Sequence, residues 1–153
     1  MKGIKSSKIL VALISLCMLV INGEAALGQH RTKAKYGIAF IDNSWNDALN
    51  KAKAAHKYIF VDAYATWCAP CKQLKATTFS DARVAEYFNR NFVNLSLDVE
   101  KGDGVAFGSK WDLQSYPTLY FFDSDGNLIN RYEGFITSLD LLALAQKLNQ
   151  QKK

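Results

Sequence analysis

The sequence predicts an α/β fold, with a central mixed sheet flanked by helices on both faces. Three observations carry that prediction. Strand-like and helix-like segments follow one another in the order β-α-β-α-β-α-β-β-α along residues 38–150, and alternation followed by a hairpin implies a mixed sheet with helices on both sides. The run Tyr58-Ile59-Phe60-Val61-Asp62-Ala63-Tyr64 is almost continuously apolar, as in a strand buried on both faces. Directly after it, Trp67-Cys68-Ala69-Pro70-Cys71-Lys72 places two cysteines three apart where that strand gives way to a helical pattern.

Taken in order, Ile38 to Ile41 is a short apolar strand. Asp42-Asn43-Ser44 offers N-caps for a helix from Trp45 to about His56, whose Trp45, Ala48, Leu49, Ala52 and Ala55 recur at helical spacing. After the buried strand, a helix runs from about Cys68 to Thr78. Ser80-Asp81 caps a second helical stretch with Val84, Tyr87 and Phe88 on one face. Phe92 to Leu97 is the next strand, ending at Asp98. A loop, Lys101-Gly102-Asp103-Gly104, leads to a short helix from Val105 to Trp111. Thr118 to Phe122 and Leu128 to Glu133 form a hairpin around the turn Asp123-Ser124-Asp125-Gly126-Asn127. Ser138 caps a last helix that turns Leu141, Leu142, Ala145 and Leu148 to the core.

The first 28 residues read differently. Lys2, Lys5 and Lys8 precede an uncharged apolar run from Ile9 to Ile21, and small residues follow, with Ala25 or Gly28 as the last residue removed. That is the pattern of a secretory signal peptide, and the run is short for a membrane span, which needs roughly 20 residues. Residues 29–37 are a leader into a single domain at 38–150. The 153-residue chain carries a formal net charge of +5; losing residues 1–28 removes three lysines and one glutamate and leaves +3. So mild a charge, with lysines and acids interspersed beyond the basic start His30, Arg31, Lys33 and Lys35, does not argue for nucleic acid.

Of the three cysteines, Cys17 leaves with the signal, and it makes no lipoprotein site because Leu16 before it is not small. An exported chain whose remaining cysteines, Cys68 and Cys71, share one tiny loop has no disulfide framework to support its fold. The pair is better explained by exchange than by stability. Thiol–disulfide exchange needs a thiolate, and a free cysteine, with a pKa near 8.5, is little ionised at neutral pH. At a helix N-terminus, unpaired N–H groups and the helix dipole favour the anion, and C-x-x-C sites reach pKa values of about 7 or below. Cys68 is therefore the expected nucleophile and Cys71, one turn deeper, the resolving thiol. Pro70 fits early in the helix, where its missing N–H is harmless, and with Ala69 it stiffens the turn. Asp62, an acid within an apolar strand, is a candidate proton shuttle, because burial raises a carboxyl pKa.

These residues resemble the thioredoxin superfamily over roughly Ile38 to Leu148. Trp67-Cys68-Ala69-Pro70-Cys71-Lys72 is similar to its W-C-x-P-C-K site, Asp62 stands six residues before Cys68 where thioredoxins have a buried acid, Tyr116-Pro117-Thr118 resembles the cis-proline turn before a strand, and Gly134 lies where the family has a glycine. The runs Asp62 to Cys68 and Thr77 to Val84 are similar to the C-terminal periplasmic domain of the reductant conductor DsbD and to small exported proteins built like it. The resemblance implies the thioredoxin fold and makes Asp62 a general acid/base for Cys71. It implies that Tyr116 and Pro117 pair with substrate as an added strand, with Trp67, Ala69, Pro70, Gly134 and Phe135 around the sulfurs. Thioredoxin pairs its buried acid with a lysine on the next strand; Asn94 stands at that place here.

The expectation is an exported thiol:disulfide oxidoreductase that reduces disulfides in periplasmic proteins. It needs no cofactor beyond its own cysteine pair. Its expected partners are disulfide-bearing exported proteins and a reductant donor, with a membrane thiol-electron conductor as the candidate, and a monomer is expected. The same site run as an oxidase or isomerase is one alternative, and a chaperone-like polypeptide-binding module is another. Zinc is disfavoured, since it wants four ligands and there is no second Cys pair or nearby His motif. Isolated His30 and His56 are expected to be solvated. The sequon Asn94-Leu95-Ser96 falls within a strand. Gly134 occupies the place where a calcium loop at Asp123 would need a bidentate Glu, so a hairpin turn is expected there.

Overall fold

A computed structural model describes residues 37–151. The expected signal peptide with Cys17, the leader up to residue 36 with His30, and Lys152 and Lys153 lie outside the described residues.

Five strands and five helices are described. They are β1 (Ile41–Asp42), α1 (Trp45–Ala55), β2 (Tyr58–Tyr64), α2 (Ala69–Ala76), α3 (Ala82–Asn91), β3 (Phe92–Asp98), α4 (Asp103–Lys110), β4 (Thr118–Phe122), β5 (Leu128–Glu133) and α5 (Ser138–Gln150). The sheet order is β1-β3-β2-β4-β5. β1 and β2 run parallel to β3, while β4 is antiparallel to both β2 and β5. The chain is thus an α/β thioredoxin fold with a mixed sheet, and β2 lies at its centre.

Alternation along β2 divides the core in two. Phe60 faces α2, α3 and α5, where it packs with Leu74, Phe88, Phe121 and Leu141. Ile59, Val61 and Ala63 face α1 and α4, against Ala48, Ala52 and Phe107. The period of two therefore puts Asp62 on the same face as Phe60, under α2. Phe60 is fully buried among the rings of Phe40, Phe79, Phe88 and Phe121, at centroid distances of 4.7–6.2 Å. That aromatic packing holds α3 and the α2–α3 connection onto β2.

Local chemistry sets the element ends. Ser44 caps α1, its hydroxyl accepting from the Asp47 N–H, and His56 ends the helix in the left-handed conformation. Asp81 caps α3 by accepting from the Arg83 N–H at 2.9 Å. Asp123 organises the β4–β5 turn, its carboxylate accepting from the N–H groups of Asp125 and Asn127 and from the Asn127 side chain.

Several boundaries differ from the sequence expectation, each for a visible reason. The first strand is Ile41–Asp42, not Ile38 to Ile41, because Ile38 donates to the Phe79 carbonyl at 2.9 Å and Ala39 to the Asn89 side chain at 2.8 Å. Those bonds tie Ile38 to the α2–α3 connection and Ala39 to α3 instead of the sheet. Thr137, not Ser138, caps α5, with its hydroxyl accepting from the Asp140 N–H. Helix α4 starts at Asp103. Asp103 also accepts from the Trp45 N–H at 2.9 Å, so one carboxylate links the starts of α1 and α4.

Candidate active site

Strand β2 leads into the site through Tyr64, Ala65, Thr66 and Trp67. Cys68 follows as the N-cap of α2, with Ala69 and Pro70 as the first two helical residues. Pro70 costs nothing here because first-turn N–H groups lack intrahelical acceptors. The Cys71 N–H, one of those orphan donors, points at Cys68 Sγ at 3.1 Å. Sulfur at this place completes the helix start, and negative charge on it is favoured by the same N–H and by the helix dipole.

Cys68 and Cys71 form a disulfide, with Cα atoms 5.3 Å apart. Both cysteines are covered, 3% and 1% exposed respectively, so exposure alone barely separates the expected nucleophile from the expected resolving thiol. They pack with Ala65, Tyr64, Val99 and Tyr116. The surface beside them is open: Trp67 is 64% exposed, and Ala69 and Pro70 are exposed as well.

Tyr116 and Pro117 enter the site from the segment before β4, and the peptide bond between them is cis. The Tyr116 ring meets the Trp67 indole edge-on at 5.7 Å. Trp67 is held from its other side, its indole N–H donating to Glu100 at 2.9 Å. Pro117 is buried, and its carbonyl accepts from the Gly134 N–H at 2.8 Å. Gly134 has φ +89°, a conformation that side chains oppose, and it turns β5 towards Pro117. Phe135 follows it and stays partly exposed, its carbonyl accepting from the Tyr132 hydroxyl at 3.3 Å. The structure therefore gathers Trp67, Cys68, Cys71, Tyr116, Pro117 and Gly134 into one surface, with Ala69, Pro70 and Phe135 on its exposed margin.

Asp62 lies beneath that surface and is fully buried. Burial pushes its carboxyl up from 3.8 to about 6, against the opposing pull of Lys75 and Ser96. On β3 the residue opposite Asp62 is Ser96, whose hydroxyl donates to Oδ2 at 3.4 Å. Lys75 Nζ is 3.7 Å from the same oxygen. The other oxygen, Oδ1, has no hydrogen-bond partner among the described residues. Lys75 also lies 3.1 Å from the centroid of the Tyr64 ring, which in turn packs against the cysteines.

Asn94, which stands in the sequence where thioredoxin has a lysine for its buried acid, is not the residue across the sheet from Asp62. Asn94 is opposite Phe60, two residues away along β2, and its amide donates to the Ala39 carbonyl and to Asn89. The positive charge comes instead from α2. Lys75 could have been found from its spacing, since it stands four residues after Cys71 and so on the same helix face. Ser96 could be found only once the register of β2 against β3 was known. Glu100, which fixes Trp67, comes from the loop after β3 and leaves no mark in the sequence.

Comparison with known proteins matches this geometry. Residues 45–149 fit a family model described as a thioredoxin-like domain. The thiol:disulfide interchange protein DsbD of Pseudoalteromonas atlantica is 25% identical over 156 residues, covering 96% of this chain and 26% of that protein. Protein disulfide isomerase-like 1-1 of Arabidopsis thaliana is 31% identical over 136 residues, covering 88% of this chain and 25% of that protein. The chain spans about a quarter of the length of these curated relatives. Among solved structures, a candidate disulphide-isomerase from Bacteroides thetaiotaomicron is 44% identical at a TM-score of 0.66, over 76% of this chain and 96% of that one. A thioredoxin from Thermus thermophilus reaches the same TM-score of 0.66 at 19% identity, over 73% of this chain and 88% of that one, a likeness of fold alone.

Proposed function

The chain belongs to the thioredoxin-like domain family, and on that premise we propose that it is a thiol:disulfide oxidoreductase that reduces disulfides in exported proteins. The observation that carries the chemistry is the Cys68–Cys71 disulfide at the start of α2, with the Cys71 N–H directed at Cys68 Sγ. The export reading rests on the N-terminal pattern and the reductive direction on the resemblance to the reductant conductor's periplasmic domain, while the thiol:disulfide interchange relatives support the exchange chemistry.

The reaction begins from the dithiol. The Cys68 thiolate attacks one sulfur of a substrate disulfide, forming a Cys68–substrate bond and expelling the other substrate sulfur as a thiolate. Cys71 then loses its proton to Asp62 and attacks Cys68 Sγ. The Cys68–Cys71 disulfide forms and the second substrate sulfur leaves as a thiolate. Two electrons have passed from the cysteine pair to the substrate, and a donor dithiol restores them. No further redox group takes part. Tyr116 and Pro117 would hold an extended substrate segment by backbone pairing, with Trp67, Ala69, Pro70, Gly134 and Phe135 as its apolar and backbone surroundings. A membrane thiol-electron conductor is the proposed donor, exported disulfide proteins are the proposed substrates, and the proposed working form is a monomer in the periplasm.

Isomerisation is the second reading, favoured by the 44% identity to the candidate disulphide-isomerase of Bacteroides thetaiotaomicron. The reduction potential of the Cys68–Cys71 pair, measured by equilibration against glutathione or dithiothreitol buffers, separates the two. A value near −270 mV, as in thioredoxin, supports the reductase; a value near −180 mV supports the isomerase, and one near −120 mV reverses the direction to oxidation.

A further inference from the structure

Asp62 is a buried acid with one oxygen unpartnered, and its charge is met from a single direction. The groups around it come from each packed element. Ser96 on β3 supplies a hydroxyl, and Lys75 on α2 supplies a cation. Tyr64 on β2 itself, Asp98 on β3 and Asp42 on β1 share one electrostatic neighbourhood with it, and Lys101 at its edge is paired with Asp98 at 2.9 Å. Of the cations in that set, Lys75 is therefore the one that contacts the Asp62 carboxylate.

Lys75 is also tied to the cysteine surface through Tyr64. It stands one helical turn beyond Cys71 on the face of α2 that covers β2. Its ammonium lies over the Tyr64 ring, which packs against both cysteines. Beyond it, a cleft of about 240 Å³ opens between Lys75, Ser96, Asp42, Phe40 and Phe79. The two partners of Asp62 thus line the cleft, and the Lys75 side chain remains 38% exposed to water. The ammonium keeps hydration on its outer side while it meets the buried carboxylate on its inner side, which spares it the cost of a fully buried charge.

We infer that Lys75 is a positioning residue for the resolving step: its ammonium holds the Asp62 carboxyl in the ionised form that takes the proton of Cys71. The inference rests on the base role of Asp62 proposed above. It assigns to a helix the charge that thioredoxin carries on the neighbouring strand, where this chain has Asn94.

The test compares the wild-type protein with Lys75→Met and Lys75→Arg, using two readouts. The first is the titration of the Asp62 carboxyl by carbon-13 NMR in the oxidised protein, assigned by its loss in Asp62→Asn. The second is the single-turnover rate of reduction of a disulfide peptide from pH 5 to pH 9. Losing a cation at this distance should raise the Asp62 midpoint by about one unit. With a midpoint near 6 in the wild type, the ionised fraction at pH 6 falls about fivefold in Lys75→Met, and the rate should follow, while at pH 8 the loss stays under about twofold. Lys75→Arg should restore both readouts. An unchanged Asp62 midpoint in Lys75→Met overturns the inference, as does an equal loss of rate at pH 6 and pH 8, the mark of a purely structural role. A raised midpoint with an unmoved rate profile overturns it as well, and places the fault in the base role of Asp62 instead of in the pairing.

Discussion

Replacing Asp62 by Asn should make the protein more stable at neutral pH, and the size of the gain follows from the site. In the folded chain the carboxyl titrates near 6, against 3.8 for an ordinary aspartate. The difference of about two units is worth about 3 kcal/mol at 1.36 kcal/mol per unit. The sign follows from which state holds the proton. Below pH 3.8 both states are protonated and the carboxyl imposes no penalty. Between pH 3.8 and 6 the unfolded chain has released the proton and the folded chain has not, so wild-type stability falls as pH rises. Above pH 6 both states are ionised and the deficit is constant. Asn has nearly the shape of Asp, keeps an acceptor for the Ser96 hydroxyl and carries no charge, while Lys75 can turn to the solvent it already touches. The assay is urea unfolding of the oxidised protein and of Asp62→Asn at pH 4 and pH 8. Because the unfolded carboxyl is already partly ionised at pH 4, the stability difference between them should grow by about 2.4 kcal/mol in favour of the variant from the lower to the higher pH, which moves the urea midpoint at pH 8 by roughly 1–2 M. The same difference at both pH values would mean that the folded carboxyl titrates normally, and the proton-shuttle argument would fall with it.

The other predictions concern the sulfurs and two local constraints. Cys71→Ser should trap disulfide-bearing proteins through Cys68 as mixed disulfides, visible on non-reducing gels, whereas Cys68→Ser should trap none and reduce nothing; a Cys71→Ser protein that captures no partner from an exported extract would count against the order of attack. Gly104→Ala should destabilise by at least about 1–3 kcal/mol in thermal or urea unfolding, because a Cβ there would collide with the Asp98 carbonyl oxygen, a backbone atom that cannot yield without moving the end of β3. Asp81→Ala should cost about 1 kcal/mol at neutral pH by uncapping α3. The Arg83 side chain holds the Asp81 carboxyl well below the usual carboxylate range, so this contribution is present above pH 4 and declines as acid reaches the lowered folded value. A cost that is unchanged down to pH 2 would refute that capping account.

How much of this was legible in the sequence depended on whether the signal was local. Strands β4 and β5 lie where the apolar runs and the Asp123 turn placed them, because strand period and turn chemistry are written in adjacent residues. Strand β1 was misplaced because Ile38 and Ala39 are bonded to Phe79 and Asn89, partners about 40 and 50 positions away. The active site divides along the same line. The cysteine pair and its helix start are contiguous, and Asp62 stands out as an acid in an apolar strand. The resemblance placed Asn94 on β3 where thioredoxin has its lysine, but the residue opposite Asp62 is Ser96 and the cation arrives from α2. Resemblance carried the requirement for a positive charge and missed the element that meets it. Physically the two routes are not equivalent. A strand lysine belongs to the sheet and reports nothing of the helix above it, whereas Lys75 shares one rigid turn with Cys71. We expect movement of α2 when the disulfide opens or closes to shift the cation relative to Asp62, which would couple the proton acceptor to the redox state of the cysteines through a single helix. On that coupling the Asp62 midpoint should differ between the disulfide and dithiol forms, and the carbon-13 titration repeated on the reduced protein checks it: two coincident curves would refute the coupling.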